Sequence, residues 1–195
     1  MIRTKIKEVF PEHEIKAYAQ DIYIADYTEQ TKEQETKRTV EIQTVLPTDI
    51  DSFCLRNPLS IGVNAVSFDK ESFMDEEGES QTQCECVTFP SDATDYSWIL
   101  FLELKYCKED NKRKKRNLPK AIDQLLATHS YYKSNGIITK KNVSYLIAAF
   151  PTLTSVPFRN STLTPVYLQN LKTKENIILK IANEATIDSP EMLSV

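Results

Sequence analysis

Glu103 and Lys105 are the only charged residues in the run Trp98-Ile99-Leu100-Phe101-Leu102-Glu103-Leu104-Lys105-Tyr106. In a strand, positions two apart share a face, so a carboxylate and an ammonium stand side by side in an apolar element. Buried charge is costly unless it is paired, hydrogen-bonded or bound to a metal. Such a strand either neutralises its two charges structurally or uses them. Glu85 adds a second carboxylate. If 83–89 and 97–106 form a hairpin centred near 93–94, residue 85 lies opposite residue 102 or 103. Facing carboxylates repel unless something neutralises them. A divalent cation does so, since Mg²⁺ takes one or two carboxylates together with waters and substrate phosphate. A neighbouring lysine can orient a water held by the cation and stabilise charge developing at phosphorus. The chemistry of this set is phosphodiester hydrolysis.

These residues need an ordered scaffold, and the hydrophobic pattern supplies one. Residues 1–20 read as a short helix broken at Pro11. Alternation predicts strands over 21–27 and 39–46, with the polar stretch 29–38 as a hairpin tip. A short helix is expected over about 48–55, capped by Thr48. Strands follow at 61–68, 83–89 and 97–106, the last two joined by a turn that holds Asp92 and Asp95. Asn117-Leu118-Pro119 opens a helix to about Ser134, with Ile122, Leu125, Leu126, His129 and Tyr132 near one face and Asn135-Gly136 as its stop. The apolar run 143–150 predicts a strand buried on both faces. A loop with some helix spans 153–174, and a last strand 177–187. The sum is an α/β (α+β) layered domain. With 195 residues the chain is expected to form one domain, its core over about 60–150 and residues 1–60 a decoration or a first helix and hairpin.

Composition removes several classes. Only three glycines are present, and no Gly-rich phosphate loop occurs. Residues 1–18 carry Arg3, Lys5, Lys7 and Glu8 and do not read as a signal peptide, and no run approaches a membrane span. Cys54, Cys84, Cys86 and Cys107 lack zinc spacing and read as reduced, small apolar residues of a cytoplasmic protein. His13 and His129 sit in no catalytic pattern, and His129 falls near the apolar helix face. The net charge of −4 does not announce a nucleic-acid binder, but the charge is polarised. Residues 69–79 are acidic. The stretch 105–120 is basic, with Lys108, Lys112, Arg113, Lys114, Lys115, Arg116 and Lys120 leaving the strand end that carries Lys105. A basic loop there would attract a phosphate backbone. Tyr96, Trp98 and Tyr106 could stack bases, although packing is the commoner use.

The order of these parts is more specific than any one of them. Glu14-Ile15-Lys16 and Glu35-Thr36-Lys37 repeat the E-x-K triplet without a long apolar strand before it. An acid, a hairpin, an apolar strand ending in E-x-K, a helix and a buried strand together resemble the PD-(D/E)XK nuclease superfamily over about 60–150. The resemblance implies a restriction-endonuclease-like mixed central sheet flanked by helices. It implies Mg²⁺ (or Mn²⁺) held by Glu85, Glu103 and the backbone carbonyl of Leu104. Glu85, Glu103 and Lys105 would be the catalytic residues, and nucleic acid, DNA before RNA, the substrate. The first acid of that family is usually Asp, and here it is Glu. The family often adds an acid from a preceding helix, for which Glu8, Glu12 and Glu41 are unranked candidates. Some relatives carry Q-x-x-x-Y on the following helix. Here Gln124 is followed by Thr128 and Tyr131, on one side of the helix with Lys120. Lys120 and Gln124 would approach substrate phosphate, beside Lys112, Arg113, Lys114, Lys115 and Arg116.

Two other readings stand beside it. Glu103 and Lys105 would form a structural ion pair in a non-catalytic protein- or nucleic-acid-binding module that keeps the nuclease fold. Exposed strands could also pair between copies of the chain, giving a homo-oligomer.

Overall fold

The computed structural model describes every residue except 76, 108–110 and 157–162, and for 111–115 the backbone alone. The chain is mixed α/β, with four helices and eleven strands among the described residues. Its centre is a six-stranded mixed sheet. In spatial order the strands are β1 (Lys16–Tyr18), β5 (Val63–Ser67), β6 (Cys86–Pro90), β7 (Trp98–Leu104), β8 (Val143–Ala149) and β9 (Ile177–Ile181). Pairing is antiparallel from β1 to β7 and parallel from β7 to β9. Parallel strands demand a long crossover, and α3 (Asn111–Ser134) supplies it between β7 and β8.

Period-two alternation divides β7 between two cores. Ile99 and Phe101 face a helical layer of α1 (Ile2–Val9), α3 and α4 (Pro165–Glu175). Trp98, Leu100, Leu102 and Leu104 face a second sheet. That sheet has five strands, ordered β11 (Met192–Ser194), β10 (Glu184–Ser189), β4 (Phe53–Arg56), β2 (Ile22–Asp26) and β3 (Val40–Gln43). The central sheet is therefore apolar on both sides, which explains why all seven residues of β7 are buried.

Four expected elements differ. The helix expected over 48–55 is absent. Phe53 and Leu55 are buried while Arg56 is exposed, a period-two pattern that makes β4 and pairs it with β2. The expected last strand is two strands in different sheets, β9 and β10. Asn183 makes the corner, accepting the Phe150 N–H at 2.8 Å and donating to the Phe150 and Leu153 carbonyls at 2.9 and 3.3 Å. The basic stretch 111–116 is not a loop. Its backbone belongs to α3, which begins at Asn111 and leaves Pro119 inside. Lys and Arg are good helix formers, and one proline removes one N–H without ending the helix. The tip expected over 29–38 includes a one-turn helix, α2 (Thr28–Thr31).

Candidate active site

The hairpin register brings the two carboxylates together. Cys86 pairs with Leu102 and Val87 with Phe101, so Glu85 follows on the face of Glu103. Glu85 lies one residue before β6. Its N–H donates to the Leu102 carbonyl at 3.0 Å, one residue off the ladder, while its carbonyl accepts from Phe68 N–H at 2.9 Å in register with β5. An irregularity of this kind re-aims a side chain beside a functional site. Leu104 closes β7 with its side chain in the core between the sheets, so only its backbone could join the pair.

Glu103 is fully buried, at 0% exposure. One carboxylate oxygen accepts from the Lys105 ammonium, and the other, Oε2, is buried without a hydrogen-bond partner among the described residues. Lys105 also donates to Gln124 Oε1 at 2.9 Å, and its backbone N–H extends the parallel ladder to Ala149. The Gln124 amide is fixed at its other end, donating to the Gln83 carbonyl at 2.8 Å. Thr128 Oγ1 donates to the Gln124 carbonyl at 3.1 Å and accepts from Cys84 N–H at 2.8 Å. Tyr131 donates to Gln81 Oε1. The predicted helix stripe Lys120, Gln124, Thr128 and Tyr131 thus lies along residues 81–85 and braces the site.

Burial pushes the Glu103 carboxyl up to about 7, although Lys105 pulls the other way through charge and hydrogen bond. The desolvation cost exceeds the attraction, so the ion pair does not repay the burial of its own acid. From an ordinary 4.5, that shift corresponds to about 3 kcal/mol against the ionised form. Glu85 is raised well above the carboxylate range by burial first, then by the charges of Glu103 and Asp26, with Lys105 and Lys120 opposing. Two acids that cannot both ionise cheaply share the site, the arrangement that a cation or a shared proton relieves.

Asp26 was not foreseen. It ends β2 in the second sheet, yet its charge raises both Glu85 and Glu103. Its N–H donates to the Tyr106 hydroxyl at 3.2 Å, and that hydroxyl donates to the Asp51 carbonyl at 2.9 Å. A lone acid closing an apolar strand is the signature that singled out Glu103. Nothing local says which sheet that strand will face. Of the acids considered for this place, Glu41 is held by Arg38 at 2.6 Å, Glu8 is exposed on α1, and Glu12 lies 3.8 Å from His13.

The remaining candidates are dispersed. Asp92 is exposed and Asp95 pairs with Lys141 at 3.6 Å, both in the turn at the far end of the hairpin. Arg116 and Lys120 are exposed on α3, and Lys120 is close enough to lower both acids. Lys108 and the side chains of Lys112, Arg113, Lys114 and Lys115 lie outside the described residues. Trp98 is fully buried and donates to the Ser189 carbonyl at 2.9 Å, so it does not stack a base. His129 packs edge-on against Phe101 at 5.5 Å in the core, where burial lowers it to about 4. Clefts of about 370 Å³ beside β9 and about 360 Å³ beside β3 lie away from the acid pair.

The donor set can be matched to a metal. Among the described residues no group of three or more His, Cys, Asp or Glu is gathered to hold one. The donors at the site are two carboxylates, one with an unpartnered buried oxygen. That set suits a hard cation that keeps waters and takes substrate oxygens, as Mg²⁺ and Mn²⁺ do. It does not suit a closed structural zinc site. No helix among the described residues is long and apolar enough to cross a membrane. No family model, no curated protein and no solved structure matches this chain.

Proposed function

We propose that this chain is a metal-dependent nuclease that hydrolyses phosphodiester bonds, of the PD-(D/E)XK type and with a restriction-endonuclease-like core. The observation that carries the reading is Glu103. It is fully buried, raised to about 7 despite its lysine, and left with an unpartnered oxygen beside a second raised acid. A fold does not keep such a group for stability, because replacing a buried pair by apolar residues is often neutral or stabilising. Strongly perturbed acids beside a lysine are instead what a hydrolytic site needs.

Glu85 and Glu103 would hold Mg²⁺ or Mn²⁺, with the Leu104 carbonyl as a further donor. The cation would supply Lewis-acid activation of water and neutralise charge at the phosphate. Lys105 places an ammonium at the same spot, where it orients the attacking water and stabilises the phosphorane-like charge. Lys120, on the exposed side of the site, supplies a cation for the flanking phosphate. The sequence that opens α3 is basic, a charge that an anionic backbone would offset. DNA is the preferred substrate and RNA the second.

The test is incubation of plasmid DNA, single-stranded DNA and RNA with the protein and Mg²⁺ or Mn²⁺, with Lys105→Ala alongside. Cleavage that requires the metal and is lost in Lys105→Ala is expected. Absence of metal-dependent cleavage on all three substrates, or cleavage that survives Lys105→Ala, would leave the non-catalytic binding module as the better reading.

A further inference from the structure

The Lys105 ammonium has two anchors of different kinds. It donates to the charged Glu103 carboxylate and, at 2.9 Å, to the neutral Gln124 amide. The Gln124 amide cannot turn away, because its other end is committed to the Gln83 carbonyl at 2.8 Å. Its backbone carbonyl is tied in turn by Thr128 at 3.1 Å. Among the described residues the second Glu103 oxygen has no hydrogen-bond partner. Lysine therefore holds half of the carboxylate, and no described residue hydrogen-bonds the other half.

We propose that Lys105 is an internal counter-ion for Glu103, and that Gln124 is the positioning residue that receives its ammonium when a divalent cation takes the carboxylate. The inference rests on the reading of Glu85 and Glu103 as a cation site. Two cations on the two oxygens of one buried carboxylate repel each other and divide its charge, so a divalent cation at Oε2 weakens the Lys105–Glu103 contact. An ammonium released into a mostly buried place without an acceptor would be left unsatisfied. Gln124 meets that need with an oxygen that carries no charge and so adds no competing ligand. It acts through Lys105 and need not touch substrate, which distinguishes this role from a phosphate contact.

The test is Mn²⁺ affinity of the full chain, read by the electron paramagnetic resonance signal of free Mn²⁺, with nucleic acid absent. Lys105→Met removes the competitor and is expected to bind Mn²⁺ about tenfold more tightly than wild type, the scale of one broken buried contact. Gln124→Leu takes away the place to which the ammonium retreats, and is expected to weaken binding several-fold. In the Lys105→Met background, Gln124→Leu is expected to change nothing, since its effect passes through Lys105. Lys105→Gln serves as a second variant, and thermal melts confirm that each protein is folded. Unchanged or weaker Mn²⁺ binding in both Lys105 variants would overturn the counter-ion role. An undiminished Gln124→Leu effect in the Lys105→Met background would overturn the positioning role. If neither wild type nor Lys105→Met binds Mn²⁺, the cation site itself is refuted, and the inference with it.

Discussion

Glu103 and His129 load the fold with opposite pH dependences. Glu103 is raised from 4.5 to about 7, so the folded state holds a proton that the unfolded chain has lost, and stability falls as pH rises through that window. His129 is lowered from 6.5 to about 4, so the unfolded chain takes the proton first, and stability falls as pH drops through that window. The two slopes oppose each other over roughly pH 4.5 to 6.5. Glu103→Gln removes the alkaline loss. Relative to wild type, it is expected to gain about 3 kcal/mol of unfolding free energy between pH 4.5 and 7. Denaturant titrations at a series of pH values measure this, and a constant difference would refute the raised acid. The same variant is expected to lose Mg²⁺-dependent cleavage. Lys105→Ala acts in the other direction on stability, leaving Glu103 buried without its counter-ion. A loss of about 3–5 kcal/mol is expected at pH 8, shrinking toward pH 5 as Glu103 protonates, and it is read from melts at the two pH values. At this scale the sequence was legible where chemistry was local. The juxtaposition of Glu85, Glu103 and Lys105 could be read because strand alternation and hairpin counting carry over directly to three dimensions. Asp26 could not, because its approach depends on how two sheets pack.

The element that does most for the site is α3. Its polar stripe binds residues 81–85 through Gln124, Thr128 and Tyr131, while Leu118, Ala121, Ile122 and Leu125 fill the core beneath. Thr128→Val keeps the shape and removes the acceptor of the Cys84 N–H. A cost of about 1–3 kcal/mol is expected, the penalty of an unpaired buried donor. Faster hydrogen exchange at Cys84 is the second sign, and an unchanged Tm would sink the argument. The helix from 117 onward was readable from its apolar period and its Asn135-Gly136 stop. Its start was not. Pro119 resembles an opening residue, and nothing local reveals that the basic stretch before it continues the same backbone turn. The short strand β4 is hidden for a related reason: a cap-like Thr48 precedes a period-two pattern only a few residues long.

At the scale of the molecule, one sheet serves two cores, with Trp98 and Leu100 at the centre of the second. Leu100→Ala is expected to cost about 2–5 kcal/mol, a cavity between sheets that neither face can close alone. A single unfolding transition followed by Trp98 fluorescence would carry that loss, whereas two transitions would show that the sheets unfold separately. The central sheet was largely legible, because β5 to β8 follow one another along the chain and pair as neighbours. Of the second sheet only the β2–β3 hairpin was legible, because β10 joins β4 across most of the sequence, pairing Glu184 with Cys54 and Ala185 with Leu55.

That long-range pairing has a consequence for biosynthesis. Trp98 hydrogen-bonds to Ser189 and Pro190, and Tyr145 accepts from the Leu193 N–H at 3.2 Å. The first of the residues that cover this strand is thus made 91 positions after Trp98. Until they emerge, β4 has an open edge and the indole has no roof, so the nascent chain must wait, partly assembled, for residues 184–194. Ribosome-stalled chains ending near residue 182 are expected to show a red-shifted indole emission and protease sensitivity at β4, and both are expected to vanish once residue 194 clears the exit tunnel.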